Sequence, residues 1–337
     1  MSPHRPPART RRLWAALAAL LLAALTACGS GSATDDNDAS GSAGQSSGAF
    51  PAKVKTKFGD VTVESKPQRV VALGWGDAET ALALGVQPVG QSDWLAFGGD
   101  GVGPWAEGRY DESPQKIGTL EPEYEKIAAL RPDLILDVKS SGDQTRYDTL
   151  SKIAPTVGVP EGGDQYKIAW QRQTTMISTA LGVPDKGEKL IVDTQRKFTA
   201  AAEAHPEFKD RTVTVGSRTS AGWGAYVTGT DRVNFVRQLG FRNNPKVDAE
   251  AGAGFSVTVS EENLQMLDAD LVVMSPIGVD AKKISADPLF KTLPVVEKGH
   301  SVVFDDQNIS QAFATNSVLS VGYAIEKVVP LFADAVK

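Results

Sequence analysis

Four tryptophans, Trp75, Trp94, Trp105 and Trp223, stand in Gly-rich stretches outside any periodic apolar pattern. A large ring in a loop costs solvation unless something covers it, so these four are candidates to line a cleft around an amphipathic ligand. Tyr226 follows Trp223 within Ala221-Gly222-Trp223-Gly224-Ala225-Tyr226, and Arg109, Arg218 and Arg232 lie beside the same stretches. A guanidinium offers a fork of donors to ligand oxygens, and Arg218, just past an apolar run at 212–215, is the best placed. Trp170 differs: it is in helical register with Ile177 and Leu181 and reads as core.

Other chemistries fit poorly. Gly74-Trp75-Gly76-Asp77-Ala78-Glu79 resembles the opening of a dinucleotide fingerprint, but Glu79 replaces the third glycine. Asp77 adds a second carboxylate where a pyrophosphate would sit, so nucleotide binding is disfavoured. What survives is a loop at the carboxyl end of a strand. No nucleophile, base and orienter stand together, which argues against an enzyme. Beyond the first 27 residues only His205 and His300 remain, too few for a three-histidine metal site.

The elements that position these residues alternate. Apolar strands are expected at 69–73, 86–89, 134–138 and 156–159, with helices at 77–84, 124–130 and 147–153 between them and a long loop over 91–121. That is a mostly parallel sheet covered on both faces. Helices at 169–181 and 186–204 follow with no strand between them. Alternation restarts with strands at 212–215 and 301–304, a helix at 232–239 and a closing helix at about 315–335. One pattern, E-x-[I/L]-x-x-L-x-x-D-L-[I/V]-[L/V], occurs at Glu125 and again at Glu262. Each copy reads as a helix feeding a buried strand, so two similar α/β lobes are expected, bridged by one long helix. The boundaries are 51–183 for the first lobe, 184–206 for the bridge and 207–337 for the second.

The N-terminus reads as a targeting segment, residues 1–27: four arginines, then an apolar run too short to span a bilayer. Leu25-Thr26-Ala27-Cys28 resembles a bacterial lipobox, which implies acylation of Cys28, the sole cysteine. Residues 28–50, mostly Gly, Ser, Ala and Asp, form a flexible tether. Removing four arginines from 35 basic residues leaves 31 against 41 acidic, about −10, which disfavours nucleic acid.

Lys66-Pro67-Gln68-Arg69-Val70-Val71, the run from Leu82 to Gly90, and Glu125 to Leu136 together resemble the substrate-binding lipoproteins of ABC importers. The likeness is to the class whose lobes are joined by a single rigid helix and which carries ferric siderophores, haem or cobalamin. It implies a membrane-anchored, extracytoplasmic, monomeric carrier that performs no chemistry, needs no cofactor and presents its ligand to a permease. It also implies that Glu125 and Glu262 dock on permease arginines. No two tyrosines are adjacent, which argues against capture of bare ferric ion, so iron would arrive wrapped in a chelator. The acids Asp77, Asp93, Asp100, Glu107, Asp111 and Glu112 suit a neutral or cationic hydroxamate chelate better than a tris-catecholate. A haem carrier would need an axial ligand, for which Tyr226 is the candidate.

Overall fold

A computed structural model describes residues 49–118 and 121–337. The expected targeting segment, Cys28 and all but the last two residues of the tether lie outside these residues. The chain opens with an antiparallel hairpin, β1 (Ala52–Thr56) and β2 (Gly59–Val63). The strands expected from the sequence begin at residue 69, so this hairpin is a correction. Ala52, Val54, Val61 and Val63 alternate inward and pack on the first core, a period-2 signal carried by very short strands.

The first sheet follows, with β3 (Val70–Ala72), α1 (Asp77–Ala83), β4 (Gly90–Ser92), β5 (Gln115–Ile117), α2 (Tyr124–Ala129), β6 (Leu134–Leu136), α3 (Gln144–Ser151) and β7 (Thr156–Val157). Its order is β5-β4-β3-β6-β7, all parallel. Val70, Ala72, Leu134 and Leu136 face one core, and Val71, Leu73 and Ile135 face the other. A sheet buried on both faces explains why these strands are continuously apolar. β4 begins just past the expected 86–89, and β5 lies inside the expected loop.

Two helices come next, α4 (Trp170–Ala180) and α5 (Pro184–Ala204). Trp170 packs with Phe198 of α5 in the core of the second half, while Met176, Ile177 and Ala180 pack in that of the first. Both helices therefore touch both cores, since Leu190 of α5 packs on the first.

The second sheet contains β8 (Thr212–Thr219), β9 (Gly222–Tyr226), β10 (Arg242–Asn243), β11 (Ser256–Val259), β12 (Leu271–Pro276) and β13 (Ser301–Val303). Its order is β11-β9-β8-β12-β13, with β10 parallel to the start of β8 and β9 antiparallel to its end. Around it lie α6 (Asp231–Gln238), α7 (Pro245–Ala249), the short α8 (Lys282–Ser285), α9 (Pro288–Lys291) and α10 (Pro294–Glu297), then α11 (Gln307–Thr315) and α12 (Ser320–Ala335). The expected closing helix is α12, which begins at Ser320 and not at about 315, and α11 is a separate helix before it. Asn316 takes a left-handed conformation, φ 46°, and ends α11.

The repeated pattern has the same role in each half. Copy one is α2 and β6; copy two is a 3-10 helix, Glu261–Leu267, followed by β12. Its aspartate pins the start of the neighbouring central strand. Asp133 accepts from the Gln68 and Arg69 amides at 2.7 and 2.9 Å, and its own amide donates to Arg69 O. Asp270 accepts from the Thr212 amide and hydroxyl, both at 2.7 Å, and its amide donates to Thr212 O. Charge-assisted bonds of this kind contribute roughly 1.5–3 kcal/mol. Asp133→Ala and Asp270→Ala should therefore each lower the unfolding free energy by about 1–3 kcal/mol in urea titration. Losses confined to one copy would break the equivalence.

Candidate functional site

The chain leaves β3 to one side of its sheet for β4 and returns on the other for β6, so a crevice opens beyond the carboxyl ends of β3 and β6. The loops after these strands meet there, Trp75 N donating to Lys139 O at 2.9 Å. The glycines of Gly74-Trp75-Gly76 serve this meeting. A Cβ on Gly74 would fall 2.2 Å from Asp77 Oδ2 and 2.7 Å from the Lys139 amide, and Gly76 has φ +75°.

At the crevice Trp75 is stacked between Trp94, 4.4 Å between centroids, and Tyr166, 3.9 Å. Phe255 meets Trp75 edge-on at 6.1 Å and Tyr166 at 6.2 Å, and Tyr226 stacks on Phe255 at 6.4 Å. The first three rings come from the first half and the last two from the second. Arg232, 9 % exposed at the start of α6, lies over the Tyr226 ring at 4.5 Å. Its buried Nε and the Trp75 Nε1 have no hydrogen-bond partner. Two buried N–H donors without partners, on residues of a ring-lined junction, suit a ligand that presents oxygen acceptors and apolar surface.

Tyr166 and Phe255 are functional candidates that the sequence reading missed. Both lie in glycine-rich stretches, after Gly162-Gly163 and Gly254, so the criterion applied to tryptophan finds them when widened to all aromatics. Gln165 and Tyr166 both take left-handed φ, 55° and 61°, held by amide bonds to Ser141 O and Ser140 O at 3.0 Å. Such a backbone is uncommon outside glycine and persists where surrounding contacts fix it.

The remaining sequence candidates divide. Residues 216–226 form the end of β8 and β9 and not the expected loop. On a strand, side chains three positions apart point to opposite faces. Trp223 therefore turns away from Tyr226, packs on Phe290 at 5.5 Å and is 2 % exposed. Arg218, opposite Trp223 in register, lies 5.0 Å over its ring and so is also apart from the ring cluster. Arg109 is exposed on the loop beyond Trp105. Trp105 packs on Phe97 and Tyr323 beside a cavity of about 390 Å³ lined by the 96–107 loop and by Gln307, Asn308 and Gln311 of α11. Glu125 and Glu262 are both exposed, each in the first turn of its short helix.

Behind the rings the halves share buried polar groups. Lys139 Nζ meets Asp231 Oδ2 at 2.8 Å, with side chains 1 % and 7 % exposed. Burial pushes the Asp231 carboxyl up, and Lys139 pulls it back. Asp77 accepts from Gln173 at 2.6 Å and from the Val138 amide at 2.8 Å, yet burial raises it to about 6. Burial likewise raises Glu79 to about 7, against the pull of Ser317 and Trp105. Both shifts favour the folded state when the acid is protonated. That stability is complete below the ordinary values of 3.8 and 4.5 and is lost as pH rises through about 6 and 7. Among the described residues no group of three or more His, Cys, Asp or Glu could hold a metal ion.

A parallel sheet and a mixed one, two helices shared by their cores and a ring-lined junction between the halves define a bilobal binding protein. The chain belongs to the periplasmic binding protein family, whose sequence model matches residues 70–308. It is 27% identical over 299 residues to the probable siderophore-binding lipoprotein YfiY of Bacillus subtilis, covering 84% of this chain and 86% of that protein. It is 34% identical over 150 residues to the iron(3+)-hydroxamate-binding protein FhuD of the same organism, covering 44% and 43%. Among solved structures, PiaA of Streptococcus pneumoniae in complex with ferrichrome superposes with a TM-score of 0.70 at 27% identity, covering 85% of this chain and 98% of that one.

Removing one member of a buried ion pair leaves an uncompensated charge, at about 3–5 kcal/mol. Lys139→Met should destabilise by that amount in urea titration, and adding Asp231→Leu should recover most of the loss. An additive double variant would show that the pair does not couple the halves.

Proposed function

We propose that this chain is an extracytoplasmic solute-binding lipoprotein of an ABC importer. It takes a ferric siderophore of the hydroxamate class between its halves and delivers it to the permease. The ring cluster carries the reading: Trp94, Trp75 and Tyr166 from one half face Phe255 and Tyr226 from the other, with the unpaired N–H donors of Arg232 and Trp75 among them. The rings cover the apolar skirt of a chelate while the donors meet its oxygens. The names of YfiY and FhuD and the ferrichrome complex of PiaA support this cargo. The acids Asp100 and Glu107 at the neighbouring cavity favour a neutral or cationic chelate over an anionic tris-catecholate.

The mechanism is recognition and delivery, with no bond made or broken and no resident cofactor. The lobes are 51–183 and 207–337, and the 184–206 helix bridges them in a monomer. Acylation of Cys28 holds the body at the outer face of the membrane through its tether; no described helix is long and apolar enough to cross a bilayer. Glu125 and Glu262 are the permease contacts.

Titration of the mature protein with ferrichrome should quench tryptophan emission, and Trp75→Ala should weaken binding by about 2 kcal/mol, roughly thirtyfold, as expected for a central aromatic anchor. Quenching by haem or cobalamin and not by ferrichrome would overturn the assigned cargo. Glu125→Lys or Glu262→Lys should impair cellular uptake and leave ferrichrome affinity unchanged. Normal uptake by both variants would remove the docking assignment.

A further inference from the structure

The hairpin tip between β1 and β2 reaches the loop that carries Tyr166. Lys57 N donates to Val159 O at 2.8 Å, and Phe58 stacks on Tyr147 at 4.0 Å. Gly158 permits this approach, since a Cβ there would fall 2.9 Å from the Phe58 ring. Anchored in this way, Lys57 Nζ donates to Asp164 Oδ1 at 2.6 Å and to Gly142 O at 3.0 Å. It thus joins the segments 140–143 and 164–167 at their outer end. These segments run close together: a Cβ on Gly142, φ +74°, would collide with the Asp164 carboxylate.

The same segments set the ring stack. Trp75 N donates to Lys139 O at 2.9 Å, while Tyr166 N donates to Ser140 O and Gln165 N to Ser141 O, both at 3.0 Å. Successive carbonyls of one short segment therefore hold the two backbones whose rings stack at 3.9 Å. Gln165 and Tyr166 take left-handed φ to do so, 55° and 61°, which non-glycine residues keep only where contacts fix them. Burial fixes little here, since Gln165 is exposed and Asp164 only half-buried. Polar bonds must hold the turn, and the Lys57 ammonium supplies two of them. A surface pair of two free side chains would contribute little, but this lysine is fixed by its hairpin and meets a carbonyl as well as the carboxylate.

Building on the carrier reading, we propose that Lys57 is a positioning residue of the ligand site that touches no ligand itself. It staples Asp164 to Gly142, keeps Gln165 and Tyr166 in their left-handed turn, and so holds the Tyr166 ring against Trp75. The N-terminal hairpin is then part of the binding apparatus as well as a cover for the first core.

The test compares ferrichrome affinity in wild type, Lys57→Met, Lys57→Arg, Tyr166→Ala and the double variant of Lys57→Met with Tyr166→Ala. Lys57→Met should weaken binding about fivefold, the scale of a half-exposed ion pair. Asp164→Ala, which cuts the pair from its other end, should do the same. Lys57→Arg can still meet both acceptors and should recover most of the loss. In the Tyr166→Ala background Lys57→Met should cost nothing further, because its effect runs through that ring. In ligand-free protein, Lys57→Met should lose the near-UV circular dichroism that Tyr166→Ala removes, and Lys57→Arg should keep it. Unchanged affinity in Lys57→Met, additive losses in the double variant or a Lys57→Met spectrum identical to wild type would each overturn the positioning role. If ferrichrome binds to none of these proteins, the carrier reading fails on its own, and the ligand-free spectra alone decide the role of Lys57.

Discussion

The buried pair of Lys139 and Asp231 sets the spacing on which the site depends. Two charges withdrawn from water are tolerable only when they meet closely, here at 2.8 Å, so the loop after β6 and the start of α6 cannot drift apart cheaply. The same loop bonds the Trp75 amide, and the next residue after Asp231 is Arg232. The pair therefore fixes the distance at which Trp75 and Tyr166 confront Phe255, Tyr226 and the guanidinium. Asn316, donating to Asp231 O at 3.1 Å, ties the break between α11 and α12 into the same junction.

Stiffness on the outer side reinforces this. α4 and α5 each contribute side chains to the cores of both halves, Trp170 and Phe198 to the second, Ile177 and Leu190 to the first. A hinge through such helices would open packed apolar surface, so opening must be a small rocking that parts the rings. The rings cover one another, and in the proposed reading a chelate entering between them exchanges ring–ring contact for ring–ligand contact. The low cost of that exchange is one reason aromatic rings serve here better than aliphatic side chains.

The alternation of elements and the duplicated pattern were legible in the sequence because both rest on local periodicity. Asp133 and Asp270 make the duplication physical, each pinning a central strand at the same register. The β8–β9 hairpin was not legible: Gly216, Gly222 and Gly224 dilute the alternation that marks a strand, so Arg218 and Trp223 read as loop residues beside Tyr226. Once the strand exists, its pleat separates them. Tyr166 was missed for a related reason, since its place over Trp75 depends on two left-handed residues anchored to a distant strand end. Trp75 and Trp94 lie in the cluster because their loops end strands of the first sheet.

The central claim is that the ligand sits between the halves among these five rings. A crystal structure of the mature protein with ferrichrome decides it. The account predicts the iron chelate between Trp75 and Tyr166 on one side and Phe255 and Tyr226 on the other, with Arg232 bonded to chelate oxygens. A chelate bound instead on the Arg218 and Trp223 face of the second sheet, with the ring cluster undisturbed, would contradict it.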